Sequence, residues 1–212
     1  MIDVDDPKQK PRLLWDLSTD ELYKNPGFPL SRQLSNGSWV VREDADSIYL
    51  AGVGSSPDGN RPFLDRLHLE TVKSERLFRS DKSCYERFLS FAGPDTRTFV
   101  TWHQSLTDPP NAFVRTIEKS VRAPAGEASF ASTSVAITHI PDSTPAVRAI
   151  KKRLVKYKRA DGLDLSFKLY TPPGYQEGAR VPTILYAYPL DYADASTAGQ
   201  VSGSQETFTR LR

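Results

Sequence analysis

With 212 residues the chain can bury one large or two small cores, and 38% hydrophobic with 25% charged residues is the composition of an ordinary globular protein. A formal net charge of +2 supplies no general field toward nucleic acid or acidic membrane, and no apolar run approaches the roughly 18 residues of a membrane span. The single cysteine, Cys84, excludes an intramolecular disulfide and any multi-cysteine metal site.

In chain order, residues 1–11 are polar with two prolines and read as an arm without a charged-then-apolar signal pattern, which leaves the compartment open. Arg12 to Asp16 is a short apolar strand candidate, followed by turn formers from Tyr23 to Pro29. Leu30–Leu34 and Trp39–Arg42 flank Asn36-Gly37, the strongest short-range hairpin signal. Strands are expected at Ser47–Val53, Phe63–Leu69 and around Glu75–Arg79. A second hairpin joins Arg87–Phe91 to Arg97–His103 through Gly93-Pro94-Asp95-Thr96, and further strands are expected at Phe113–Ile117 and Ser134–Ile140. Eight or more short strands without a convincing helix predict an all-β region up to about Ile140. Partial propeller blades and a self-contained β-sandwich fit this pattern about equally well.

Pro141 to Pro145 reads as a linker, with a short helical or extended connector at Ala146–Ile150. Lys152–Lys158 and Leu163–Tyr170 bracket Asp161-Gly162, another hairpin signal. After a Pro-Pro-Gly loop, Val181 to Leu190 reads as a strand at Thr183–Tyr186 buried on both faces, as in a parallel sheet, with Tyr186 in the core. Pro189 stops it and leaves the Tyr188 phenol at a strand tip, where open α/β sheets bind ligands. Asp191 to Arg212 is small and polar, and disorder is expected of it.

The chemistry of the chain is defined as much by what it lacks. It contains no Gly-x-Ser-x-Gly nucleophile elbow, no Gly-x-Gly-x-x-Gly and no phosphate-binding loop. His68, His103 and His139 lie far apart on expected strands or strand edges, read as surface or pairing residues, and argue against a metal site. Cys84, in a turn region, reads as a spectator thiol. No cofactor is expected. The basic run Lys151, Lys152, Arg153, Lys156, Lys158 and Arg159 reads as a solvated, edge-protecting face, because stacking aromatics for nucleic acid are not evident beside it.

Lys156-Tyr-Lys-Arg-Ala-Asp-Gly-Leu-Asp-Leu-Ser-Phe-Lys-Leu-Tyr-Thr-Pro-Pro-Gly-Tyr175, then Pro182-Thr-Ile-Leu-Tyr-Ala-Tyr-Pro189, resembles the prolyl oligopeptidase family of serine peptidases. Ala198 to Ser204, Arg61 to Arg66 and Asp108 to Asn111 look closest to its glutamyl-endopeptidase-like branch. The resemblance implies a mainly β chain: C-terminal β-propeller blades over residues 1–145, then the start of an α/β-hydrolase catalytic domain, truncated, over 146–212. It implies an enzyme that hydrolyses peptide bonds of oligopeptides through an acyl-enzyme, with Tyr188 donating its hydroxyl to the oxyanion. In the family the catalytic Ser, Asp and His follow the position at which this chain stops, so the 212 residues alone are expected to be inactive. A different reading is a non-catalytic β-rich interaction module with a vestigial hydrolase-like tail. A dipeptidyl- or acylaminoacyl-peptidase would differ only in substrate.

Overall fold

The computed structural model describes residues 1–2, 5–6, 8–187 and 196–209, and it is mainly β, built from several antiparallel sheets. The first large sheet is formed by β1 (Phe28–Pro29), β4 (Glu43–Asp44), β5 (Ser47–Gly52), β6 (Phe63–His68) and β7 (Lys73–Arg79). Its order is β1-β5-β6-β7, and β4 shares the β1 edge of β5 by pairing with Ile48 and Ser47. The hairpin β2 (Ser31–Gln33) and β3 (Trp39–Val41) hangs on this edge through Leu30, whose N–H donates to the Tyr49 carbonyl at 2.8 Å.

The second sheet is a consecutive meander of β8 (Tyr85–Phe91), β9 (Thr98–Gln104), β10 (Asn111–Ser120) and β11 (Phe130–Ala136). A five-residue 3-10 turn at Pro145–Ala149 then leads into the hairpin β12 (Lys151–Lys158) and β13 (Asp164–Thr171). Two tight turns are where the sequence placed them. Gly37 and Gly162 adopt φ of 86° and 88°, backbone that a side chain disfavours, and the Asn36 and Asp161 carboxamide and carboxylate oxygens accept N–H groups two residues on.

The two large sheets share one core. Tyr49, Leu64, Leu77 and Phe78 from the first meet Phe99 and Ile117 from the second, with Phe88, Phe91 and Phe130 packed around them. The rings meet edge to face, Tyr49 on Phe91 at 5.0 Å and Phe78 on Phe99 at 5.7 Å between centroids. Residues of alternate parity along β5 and β6, Ile48, Leu50 and Leu67, form a smaller cluster with Leu69 and Val72.

Several expectations are corrected. Arg12–Asp16 is not a strand; Leu13 is 73% exposed and no sheet edge receives the segment. The last strand of the meander is Phe130–Ala136 rather than Ser134–Ile140, because pairing with β10 begins at Phe130 and β10 itself runs from Asn111 to Ser120. Thr183–Tyr186 is not a strand: Ile184, Leu185 and Tyr186 are 97%, 86% and 85% exposed. A strand covered on both faces needs ladder partners, and no described strand lies beside this one. Tyr186 is therefore not a core residue.

The 196–209 segment also departs from the expected disorder. Thr197, Val201 and Ser204 are buried, and the segment is stitched to three parts of the chain. Gln200 accepts from the Leu22 N–H and donates to Glu21, the Tyr23 hydroxyl accepts from the Val201 N–H, and the Gly203 carbonyl accepts from the Asn60 N–H. Gly199, at φ 80°, lies so close to β13 that a Cβ there would sit 1.8 Å from the Asp164 carbonyl oxygen. Among the described residues no helix is long and apolar enough to cross a membrane.

Candidate functional site

The densest polar chemistry among the described residues lies on one face of the second sheet. In the β8–β9–β10 register Glu86 stands opposite His103 and Phe88 opposite Thr101, while Thr101 is paired with Phe113 and Phe99 with Arg115. Period-two alternation turns Glu86, Thr101, His103 and Arg115 to the same side. Glu86 is 1% exposed and fully used as an acceptor. Arg115 donates from Nε at 2.6 Å and Nη2 at 2.7 Å, Thr101 Oγ1 donates at 2.5 Å, and His103 Nδ1 lies 3.2 Å from Oε2. Burial disfavours the Glu86 charge, but the His103, Arg115 and Thr101 donors outweigh it and hold the carboxyl down at about 2. His103 is pushed up to about 10, by the Cys84 sulfur first and by Glu86 next.

The Cys84 sulfur, a Glu86 oxygen and a His103 nitrogen lie within 4.8 Å of one another, so the expectation that no histidine has a metal-type partner set needs correcting. Comparing the histidines only with each other missed the carboxylate and thiol that β-pairing brings to His103. The donor chemistry nonetheless disfavours a cation. The four acceptor positions of Glu86 are taken, and the Arg115 guanidinium already supplies the counter-charge. Cys84 is buried and its sulfur contacts Ser80 Oγ at 3.6 Å. The group reads as a satisfied buried ion network, with His103 in the pairing role expected of it.

Of the other histidines, the His68 ring accepts from the Thr71 N–H at 3.3 Å, and His139 is exposed.

The second place where chemistry gathers is the junction of the β12–β13 hairpin with the 196–209 segment. Burial changes along β12, from a half-buried Lys152 near its start to exposed Lys156 and Lys158 near its end, which corrects the reading of the basic run as one solvated face. Lys156, Lys158 and Arg159 pair with Asp58, Asp164 and Asp161 at 2.8, 2.7 and 2.6 Å. Lys152 instead turns inward and donates to the Thr207 carbonyl at 2.8 Å and to Thr207 Oγ1 at 3.1 Å. Arg148 pairs with Asp142 at 3.0 Å, donates to the Leu106 and Thr209 carbonyls, and stacks 3.6 Å over the Phe208 ring. Burial first, then the nearby Lys168 charge, lowers Lys152 to about 8. A cleft of about 580 Å³ opens here between the 3-10 turn, the start of β12 and the loops at Leu106 and Tyr175.

The expected oxyanion donor, Tyr188, lies outside the described residues. Its neighbourhood on the N-terminal side, Val181 to Ala187, is exposed, and the Gly199–Ser204 stretch that carries part of the family resemblance is docked between β13 and the loop at Asn60.

Comparison with known proteins adds a signal that neither sheet pairing nor the cleft carries. The chain is similar to glutamyl endopeptidases along nearly its whole length. It is 30% identical over 225 residues to a probable chloroplastic glutamyl endopeptidase of Oryza sativa subsp. japonica, covering 98% of this chain and 23% of that protein. It is 29% identical over 220 residues to a probable chloroplastic glutamyl endopeptidase of Arabidopsis thaliana, covering 95% of this chain and 22% of that protein. The chain thus spans less than a quarter of the length of these curated relatives. Among solved structures, the AtxE2 isopeptidase with Astexin3-dC4 bound aligns with 77% of this chain and 24% of its own, at a TM-score of 0.39 and 16% identity. No protein-family profile matches the chain.

Proposed function

We propose that these 212 residues are part of a serine-type peptidase of the prolyl oligopeptidase kind, in its glutamyl-endopeptidase-like branch. In this reading residues 1–145 are the last blades of a β-propeller and residues 146–212 begin an α/β-hydrolase domain. The whole enzyme hydrolyses peptide bonds of oligopeptides through an acyl-enzyme, and the propeller restricts access to short peptides. The observation that carries the reading is the similarity to two named glutamyl endopeptidases over 95–98% of the chain. The four-strand meander β8-β9-β10-β11 and the strand order β5-β6-β7 are compatible with successive blades, since each runs in chain order.

In this reading Tyr188 donates a hydrogen bond to the tetrahedral oxyanion. The nucleophile is a serine on an elbow of the Gly-x-Ser-x-Gly type, a string absent from these 212 residues. The chain alone therefore turns over no peptide. The test is a fluorogenic oligopeptide assay on two proteins in parallel, this chain and the uninterrupted product of the coding sequence that contains it. The expected result is no turnover by the first, and turnover by the second that a serine-directed phosphonate abolishes. Phosphonate-sensitive turnover by the 212 residues, or phosphonate-resistant turnover by the longer protein, overturns the reading.

A further inference from the structure

We propose that Lys152 is a covalent modification site, at which the side-chain amine combines with carbon dioxide to form a carbamate. The site is independent of the peptidase reading, since it involves neither Tyr188 nor a nucleophile.

The hydrogen bonds at Lys152 Nζ already suit a neutral amine. A neutral amine has two N–H donors and a lone pair, whereas an ammonium has three donors and no lone pair. Lys152 Nζ meets two acceptors, the Thr207 carbonyl at 2.8 Å and Thr207 Oγ1 at 3.1 Å, both uncharged. Among the described residues it has no ion pair, although Lys156 and Lys158 on the same strand are each closed in one. Two acceptors satisfy both hydrogens of the neutral form and leave its lone pair directed away from Thr207. The ammonium form carries a third N–H that no described residue accepts.

The charges around Lys152 are mostly of its own sign. Lys152 stands opposite Tyr170 and Leu154 opposite Lys168, so Lys152 and Lys168 are diagonal neighbours on one face of the hairpin. Arg148 acts from the 3-10 turn, with Asp142 as its own counter-ion at 3.0 Å, and Glu206 on the 196–209 segment is the carboxylate that acts on the amine. Burial first, and then Lys168, lowers Lys152 to about 8. At pH 7.5 about a quarter of such an amine is neutral, against about one in a thousand for an ordinary lysine. Desolvation beside another cation is the usual way in which a lysine becomes a nucleophile.

The same cations select the electrophile. A Schiff base formed with an aldehyde is readily protonated, which restores the positive charge that this neighbourhood disfavours. An acyl donor leaves a neutral amide. Of the three products only the carbamate is negative, and Lys168 and Arg148 then stabilise what they previously opposed. The step balances with no further reagent. The ammonium releases a proton, the freed lone pair bonds to the carbon of carbon dioxide, one C–O π pair moves onto oxygen, and Nζ releases a second proton. The carbamate nitrogen keeps one N–H for the Thr207 carbonyl. The Thr207 hydroxyl, which lies 3.3 Å from the Ser204 carbonyl, can turn its hydrogen toward a carbamate oxygen. Carbon dioxide has access through the cleft of about 580 Å³ that Lys152 lines together with Val147, Ile150 and Thr171.

The experiment equilibrates the 212-residue protein with carbon dioxide at one fixed partial pressure, at pH 6.5, 7.5 and 8.5. Carbamates are trapped as ethyl esters with triethyloxonium ion and located by peptide mass spectrometry. The Met1 α-amine, which forms a carbamate in any chain, reports that trapping has worked. The expected result is labelling of Lys152 that rises with pH and exceeds that of Lys156 or Lys158 at least about tenfold at pH 7.5. Lys168→Gln keeps the amine and its Thr207 bonds but removes a cation beside it. It is expected to lower Lys152 labelling several-fold with an unchanged urea midpoint, an effect that a merely accessible lysine would not show. An unlabelled Lys152 in samples whose Met1 is labelled, labelling equal to that of Lys156 and Lys158, or labelling unaffected by Lys168→Gln overturns the proposal.

Discussion

Arg115 reaches across β9 to Glu86 on β8 and closes a two-pronged ion pair, Nε to Oε1 at 2.6 Å and Nη2 to Oε2 at 2.7 Å, around a carboxylate with 1% of its surface exposed. A parallel fork of this kind fixes both groups, and the same carboxylate also holds Thr101 and His103. Removing it leaves a guanidinium and an imidazolium facing each other without a counter-ion. Glu86→Leu is therefore expected to destabilise the protein by about 3–5 kcal/mol. Breaking the exposed Arg66–Glu75 pair on the neighbouring sheet, with side chains 48% and 39% exposed, is expected to cost less than about 1 kcal/mol. Urea midpoints of Glu86→Leu and Glu75→Gln, measured at equal m-values, check the contrast.

The same network sets a pH dependence with two flanks. The Glu86 pKa falls on folding from its ordinary 4.5 to about 2, so its contribution is complete above pH 4.5 and is lost as the pH drops toward 2. The His103 pKa rises on folding from 6.5 to about 10, so its contribution is complete below pH 6.5 and is lost as the pH climbs toward 10. Together they place the network's greatest contribution between pH 4.5 and 6.5. Lys152, lowered to about 8, works the other way between pH 8 and its ordinary 10.5, since deprotonation relieves a buried charge. The informative quantity is therefore the difference between the wild type and His103→Gln. That difference is expected to shrink from pH 6 to pH 9.5 in chemical denaturation; a constant difference would refute the assignment.

What could be read from the residues follows the range of the interaction. The hairpins at Asn36-Gly37 and Asp161-Gly162 are legible because a few adjacent residues fix a positive φ and a local acceptor. The run Phe63–Leu69 is legible as a strand, yet its alternation hides Asp65, a nominally outward polar residue that is buried with Arg76 at 2.8 Å. The Glu86 network was not legible, because it joins residues 15 to 29 positions apart through two strand registers. The available signal was parity: once the turn after Phe91 is set, Glu86, Thr101, His103 and Arg115 fall on one face. The reading of Thr183–Tyr186 failed for the opposite reason. Apolar composition reports that a segment can be buried, and burial itself depends on partners that the described residues do not provide.

Gly199 offers a test of how the 196–209 segment is held. Its φ of 80° and the 1.8 Å approach of a would-be Cβ to the Asp164 carbonyl leave no room for alanine without moving backbone. Gly199→Ala is expected to cost at least about 1 kcal/mol. It is also expected to loosen the segment selectively, because the two large sheets share a core that does not include it. Limited proteolysis checks this: cleavage within 196–209 should accelerate while the β5–β11 region stays protected.

Tyr188 is the residue on which the peptidase proposal makes its sharpest kinetic statement. A phenol that donates to the oxyanion acts only as charge develops in the transition state. Tyr188→Phe in the longer protein is thus expected to lower kcat about 10²–10³-fold with little change in KM. Steady-state kinetics on one oligopeptide substrate decides it; a rise in KM at constant kcat would make the phenol a ground-state binding group.

The exposed apolar stretch at Ile184, Leu185 and Tyr186 has a consequence for handling the protein. Three consecutive large side chains that are 97%, 86% and 85% exposed, with β-branched and aromatic members and no ladder partner among the described strands, form an open template for pairing with another copy. Their amides should exchange with solvent at nearly unprotected rates, whereas those of β5 and β6, flanked by strands on both sides, should be protected. Ile184→Lys places a charge at the start of the stretch, at a position that is 97% exposed. It is expected to reduce concentration-dependent association in sedimentation velocity while leaving the urea midpoint within about 0.5 kcal/mol of the wild type. Unchanged association, or a clear loss of stability, would mean that this segment is buried in solution.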